Sequence, residues 1–118
     1  MVRHMENYSA ALDGAFHALS DPTRRAVMAR LMHGPAPVKE LAAPFGMGLP
    51  SFLKHLKILE ETGLITTSKE GRVRTCRARE DRLEAVRQWL DEQRAVWESR
   101  YRNLDNLLIS LTGENDDV

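Results

Sequence analysis

Residues 48–63, GLPSFLKHLKILEETG, are the stretch on which the fold turns. Phe52, Leu56 and Leu59 recur at helical spacing and share one face, while Ser51, Lys54 and His55 look elsewhere. The result is an amphipathic helix with an apolar back and a small, polar, basic front, suited to meeting something negative. Both ends are marked. Pro50 fits the first turn, where its missing N–H costs no hydrogen bond, and Gly63 fits the position beyond the last turn, where a left-handed backbone is needed. Just upstream, ELAAPFGMG reads as a short helix over Val38 to Ala43 closed by a Pro and Gly turn, so residues 38–63 have the outline of a helix-turn-helix. The second helix of such a pair usually enters the DNA major groove.

Downstream the period changes. LITTSKEGRVRTCRA, within residues 64–79, has β-branched residues in two runs around a Glu70-Gly71 turn, the pattern of a β-hairpin. Between Ile65 and Arg79 lie five basic residues, Lys69, Arg72, Arg74, Arg77 and Arg79, against the single acid Glu70. A basic hairpin directly after a reading helix is the wing of a winged-helix domain. Arg72 and Arg74, two apart in a strand, are expected to point to one side and reach phosphates or the minor groove. A charged edge that merely prevents aggregation is the bland alternative. Lys57 is either a further DNA contact or a solvated neighbour, and His55 either a contact or a packed helix histidine.

Upstream, Tyr8 to Ser20 reads as a first helix with Leu12, Phe16 and Leu19 as its inward stripe. Asp21-Pro22 starts a second, because Asp caps free N–H groups and Pro suits the first turn. It runs to about His33 with Val27, Met28 and Leu31 buried, and Gly34-Pro35 ends it; Arg24 and Arg25 read as surface charges, and residues 35–37 as a short connector. From about Glu80 a helical pattern continues to about Leu111, longer than one small domain can cover. Leu90, Trp97, Leu104 and Leu111 are spaced by sevens, with Tyr101 and Leu108 beside them. Such a stripe wants a second helix against it, and the simplest is its own copy in a two-fold dimer that would read an inverted-repeat operator in double-stranded DNA. The interface then comprises Leu12, Phe16, Trp97, Tyr101, Leu104, Leu108 and Leu111, with the helices at residues 8–20 and 80–111 as its arms. Trp89 and Trp97 read as core or interface aromatics before they read as a ligand pocket.

Composition bounds what remains. At 118 residues and 42% hydrophobic, the chain reads as a single mostly α domain with one small hairpin, residues 1–118. Its 17 basic and 17 acidic residues cancel, so nucleic-acid binding must come from where the charges lie and not from their sum. No apolar run approaches the length of a membrane span and no leader pattern is evident, which points to the cytoplasm; the lone Cys76 excludes an internal disulfide framework and fits that compartment. The opening MVRHM is either native or a remnant ahead of Met5, and the acidic ending ENDDV reads as frayed. Nothing carries a reaction: there is no Gly-rich phosphate cradle, no paired His and carboxylate motif and no Ser elbow. Two rivals to a DNA-binding regulator stay open. One is a protein-interaction or antirepressor module working through the long helix. The other is a thiol-responsive regulator using Cys76, whose neighbours Arg74 and Arg77 would favour a thiolate.

Three segments together, FHALSDPTRRAVMARL, KELAAPFGMGLPSFLKHLKILEETGLI and EGRVRTCRA, resemble the ArsR/SmtB-type winged-helix regulators over about Ala15 to Leu111. The resemblance implies a homodimeric DNA-binding transcriptional repressor joined through its first and last helices, with Ser51, Lys54 and His55 on the DNA-reading helix. The chain departs from the family's metal sensors. Where they carry a Cys-x-Cys box after Glu-Leu, Glu40-Leu41 is followed by Ala42-Ala43-Pro44, and no histidine follows His55 for a site on the last helix. It looks like the metal-independent branch, which also carries a Trp-Glu pair like Trp97-Glu98. No metal and no cofactor are expected, and the sequence names no effector.

Overall fold

A computed structural model describes the backbone of residues 2–112 and the side chains from Ser9 onward. The side chains of the opening MVRHM, read as native or as a remnant ahead of Met5, and the ending ENDDV, read as frayed, lie outside the described residues. The chain divides into two compact units, 1–86 and 87–118. Along the chain run α1 (Val2–Ala18), α2 (Pro22–Leu31), β1 (Ala36–Pro37), α3 (Val38–Ala42), α4 (Leu49–Glu61), β2 (Ile65–Glu70), β3 (Val73–Ala78) and α5 (Glu80–Thr112). Helices α3 and α4 make the helix-turn-helix, and β2 and β3 the wing, as the sequence led one to expect.

Local chemistry sets the boundaries. Asp21 caps α2 by accepting the Arg24 backbone N–H at 3.1 Å, with Pro22 in the first turn. At the far end of α4, Gly63 takes φ +84°; its N–H donates to Glu60 O at 3.0 Å and the Leu64 N–H to Leu59 O at 2.9 Å. This pair of bonds is a Schellman closure, and Leu64, the residue it turns inward, is fully buried. A side chain at position 63 would also meet the Arg82 guanidinium at 3.3 Å.

Phe52, Leu59, Leu64, Ile65, Val27 and Cys76 are the largest fully buried side chains of the first unit. Burying an aliphatic or aromatic side chain contributes about 1.5–3 kcal/mol, so the apolar back of α4 is the main anchor of that helix. The ring of Phe52 stacks on Phe45 with centroids 5.6 Å apart.

Four expectations need correction. Helix α1 starts at Val2, six residues before Tyr8. The connector at residues 35–37 contains a strand: Ala36 and Pro37 pair antiparallel with Cys76 and Thr75, making a three-stranded sheet ordered β1-β3-β2. The hairpin turn is at Gly71-Arg72, because Glu70 and Val73 are the last cross-strand partners. Gly71 has φ +65° and Arg72 does not share a positive φ, the combination a two-residue II′ loop requires. Finally, Arg24 is no surface charge; it is buried.

Candidate nucleic-acid interface

On α4 the face opposite Phe52, Leu56 and Leu59 carries Ser51, Lys54 and Lys57, all exposed. Lys54 makes no ion pair among the described residues, whereas Lys57 lies 3.8 Å from Glu61 one turn on. Both ends of such an exposed pair are well solvated, so the contact contributes little and leaves Lys57 available.

The wing's register decides which of its charges act together. Antiparallel partners share a face and alternate along the strands, so Ile65, Thr67 and Lys69 lie on the side of Ala78, Cys76 and Arg74. Ile65 and Cys76 are buried, and Lys69 and Arg74 continue that face past the end of the core. Like charges directly opposite each other repel, and neither forms an ion pair among the described residues. Arg74 also lines a cleft of about 290 Å³ with Leu53, Leu56, Lys57, Glu60 and Thr67, which puts reading helix and wing on one rim. Thr67 Oγ1 donates to Glu60 Oε2 at 2.5 Å across that cleft. Arg72 sits in the turn, so the expectation that Arg72 and Arg74 share a strand face fails; the partner that register gives Arg74 is Lys69.

His55 differs from its neighbours on α4. Its side chain is 23% exposed, and Nδ1 lies 3.0 Å from Arg24 Nη1 and 3.7 Å from Asp21 Oδ2. Asp21 is held below the usual carboxylate range, chiefly by the Arg24 backbone N–H donated to it.

A helix-turn-helix domain model matches residues 19–68, the span from the end of α1 into β2. The HTH-type transcriptional regulator Rv2034 of Mycobacterium tuberculosis is 39% identical over 79 residues, which are 67% of this chain and 74% of that protein. The transcriptional repressor SdpR of Bacillus subtilis is 33% identical over 51% of this chain and 67% of its own. Among solved structures, the ArsR family transcriptional regulator RHA00566 is 57% identical with TM-score 0.70, covering 75% of this chain and 92% of that one. This chain belongs to the ArsR/SmtB-type winged-helix transcriptional regulators. The homodimeric winged helix-turn-helix DNA-binding domain of Mb0332 from Mycobacterium bovis is also similar, at 25% identity and TM-score 0.58 over 79% of this chain and 86% of that one.

As an ArsR-type regulator the chain is a DNA-binding protein and not an enzyme. None of its described helices is long and apolar enough to cross a membrane. Among the residues read from sequence, Ser51, Lys54, Lys57, Arg72 and Arg74 are exposed on α4 and the wing, while His55 is half-buried. Sequence reasoning passed over two residues. Lys69 was counted only as a wing charge, although the turn, once placed at residues 71–72, sets it opposite Arg74. Arg24 could have been suspected only from its place three residues after a helix cap, where its long stem can turn back on the preceding helix. The redox reading of Cys76 loses its premise: the thiol is fully buried, and burial pushes its pKa up more strongly than Arg74 pulls it down.

Proposed function

We propose that this ArsR-type regulator binds an inverted-repeat operator in double-stranded DNA as a homodimer in the cytoplasm and represses transcription there. Its DNA contacts are Ser51, Lys54, His55 and Lys57 on α4 and Arg72 and Arg74 on the wing, to which the register adds Lys69. The observation that carries the dimer is the apolar surface of the second unit. Leu90, Trp97, Tyr101, Leu104, Leu108 and Leu111 are 50–74% exposed along one helix, and Trp97 stacks on Tyr101 with centroids 4.9 Å apart. A soluble chain seldom leaves so continuous an apolar stripe to water unless another protein surface covers it. Phe16 is exposed and joins the proposed interface; Leu12 is packed in the core of its own first unit, which removes it from the list of surface contacts. The homodimeric Mb0332 domain and the repressor SdpR, both similar to this chain, support the assembly and the repressor role.

The contacts are tested by titration. Operator fragments are first selected from genomic DNA with purified protein, then titrated across a salt series. Lys54→Ala is expected to weaken operator binding about 10-fold or more. Arg72→Ala and Arg74→Ala lower affinity for all sequences alike and each flatten the slope of log K against log salt by about one. Unchanged binding by all three variants would refute the assignment.

We also propose that metals do not control this regulator. Glu40-Leu41 is followed by Ala42-Ala43-Pro44, no histidine follows His55, and among the described residues no three His, Cys, Asp or Glu side chains gather closely enough to hold an ion. Zinc, copper, nickel or chelator added in turn should leave operator affinity within about twofold, ordinary scatter on the tenfold scale of 1.4 kcal/mol. A metal that abolishes binding at micromolar concentration without precipitating the protein would overturn this.

A further inference from the structure

Arg24 is the single buried charged side chain among the described residues, and it uses all three of its nitrogens. Nε donates to Ala18 O at 2.7 Å, Nη2 to His17 O at 3.4 Å and Nη1 to His55 Nδ1 at 3.0 Å. Both carbonyls are at the C-terminal end of α1; His17 O also accepts the Ser20 N–H at 3.2 Å and the Ser20 hydroxyl at 2.6 Å, whereas Ala18 O accepts from Arg24 Nε at the short distance of 2.7 Å. One guanidinium on α2 therefore joins the end of α1 to the reading helix α4.

The chemistry of that junction is one-sided. A guanidinium only donates, so the His55 Nδ1 it meets must carry a lone pair and accept. The proton of the neutral ring is then on Nε2. A half-buried imidazole free to choose would interconvert between two tautomers and two ring flips, offering a donor or an acceptor at its outer edge. Arg24 removes that choice. Asp21 holds the Arg24 backbone by capping α2. Although its carboxylate lies 3.7 Å from the same Nδ1 and would favour a proton there, the guanidinium at 3.0 Å is within hydrogen-bond distance and the carboxylate is not, so Arg24 sets the tautomer.

We propose that Arg24, too buried to touch DNA, is a positioning residue for operator recognition: it holds His55 in one orientation and as an Nε2–H donor on the reading helix. The inference rests on α4 being that helix. A buried charge is a costly way to fill space, and an apolar residue of similar volume often serves stability as well or better. What an apolar residue cannot do is define which ring nitrogen of His55 carries the proton.

The test has two readouts. In the free protein at about pH 8, long-range nitrogen–proton NMR spectra should find His55 with unprotonated Nδ1 and protonated Nε2, and R24K and R24M should shift it to a mixture of tautomers. On the selected operator fragment, R24K and H55A should each lose about 10-fold in affinity while binding to unrelated DNA stays within about twofold. The double variant R24K/H55A should lose no more than either alone, because both remove the same contact. Thermal melts accompany each variant, and H55A keeps the test open if the Arg24 variants fold poorly. The proposal is overturned by a protonated Nδ1 in the wild type, by wild-type affinity in both single variants, by losses that simply add, or by equal losses on operator and unrelated DNA. If Lys54→Ala also leaves operator binding untouched, the reading-helix assignment itself has failed and the proposal falls with it. A normal response to Lys54→Ala alongside silent Arg24 and His55 variants rejects this inference alone.

Discussion

Replacing both Leu104 and Leu108 with Glu should yield a monomer in sedimentation experiments at micromolar concentration and cost about 100-fold or more in operator affinity. Each side chain is about half exposed on α5 and continues the line of Trp97, Tyr101 and Leu111. In a two-fold assembly every substitution acts twice, so four carboxylates would enter an apolar seam where none has a partner. The loss of DNA affinity then needs no change at the contacts. A dimer places its second reading helix beside the second half-site at high effective concentration, and that gain, about 10²- to 10⁴-fold, disappears with the dimer. Neither residue belongs to the core of residues 1–86, so the winged-helix unit should keep its circular dichroism signal. A wild-type protein that sediments as a stable monomer, or a doubly substituted protein that remains dimeric, would rule out this seam.

Phe52→Ala should destabilise the winged-helix unit by about 3–5 kcal/mol, the usual cost of deleting a buried aromatic ring. Phe52 is completely buried on the back of α4 and stacked against Phe45. Its removal cuts the link between the reading helix and the turn that precedes it, so the helix loses both burial and its fixed angle. For a chain of this size the loss corresponds to a fall in Tm of about 10–20 °C, readable by calorimetry. A fall of only a degree or two would mean that the site collapses around the gap and that Phe52 is not the anchor described.

The elements most legible in the sequence were those written in local chemistry. Asp21 before Pro22, Pro50 in a first turn and Gly63 after the last turn of α4 act within a few residues of themselves, so their reading did not depend on the rest of the chain. The wing was legible because two β-branched runs flank a glycine, although one residue of ambiguity remained in the turn. Its outcome changed which basic side chains share a face. Strand β1 was hidden for a different reason. Two residues, one of them proline, show no period, and their partners Cys76 and Thr75 are some forty positions away. Arg24 was misread because its environment comes from carbonyls six and seven residues back and a histidine thirty-one residues ahead. Of the two interface residues proposed on α1, packing sends Leu12 inward and leaves Phe16 exposed, a distinction that a shared helical stripe cannot make.

The position of Cys76 gives this regulator a built-in clock. Its sulfur lies in the central strand, paired with Ala36 on one side and Thr67 on the other, fully buried, and it is the chain's sole thiol. A thiol reagent in solution can reach it only while the sheet is open, so with reagent concentrated enough to trap the thiol before the sheet recloses, the labelling rate equals the opening rate. Followed by mass as a single added adduct, the rate measures how often the base of the wing comes apart. Comparing it with and without DNA would separate the rigidity of the wing's root from the freedom of its charged tip.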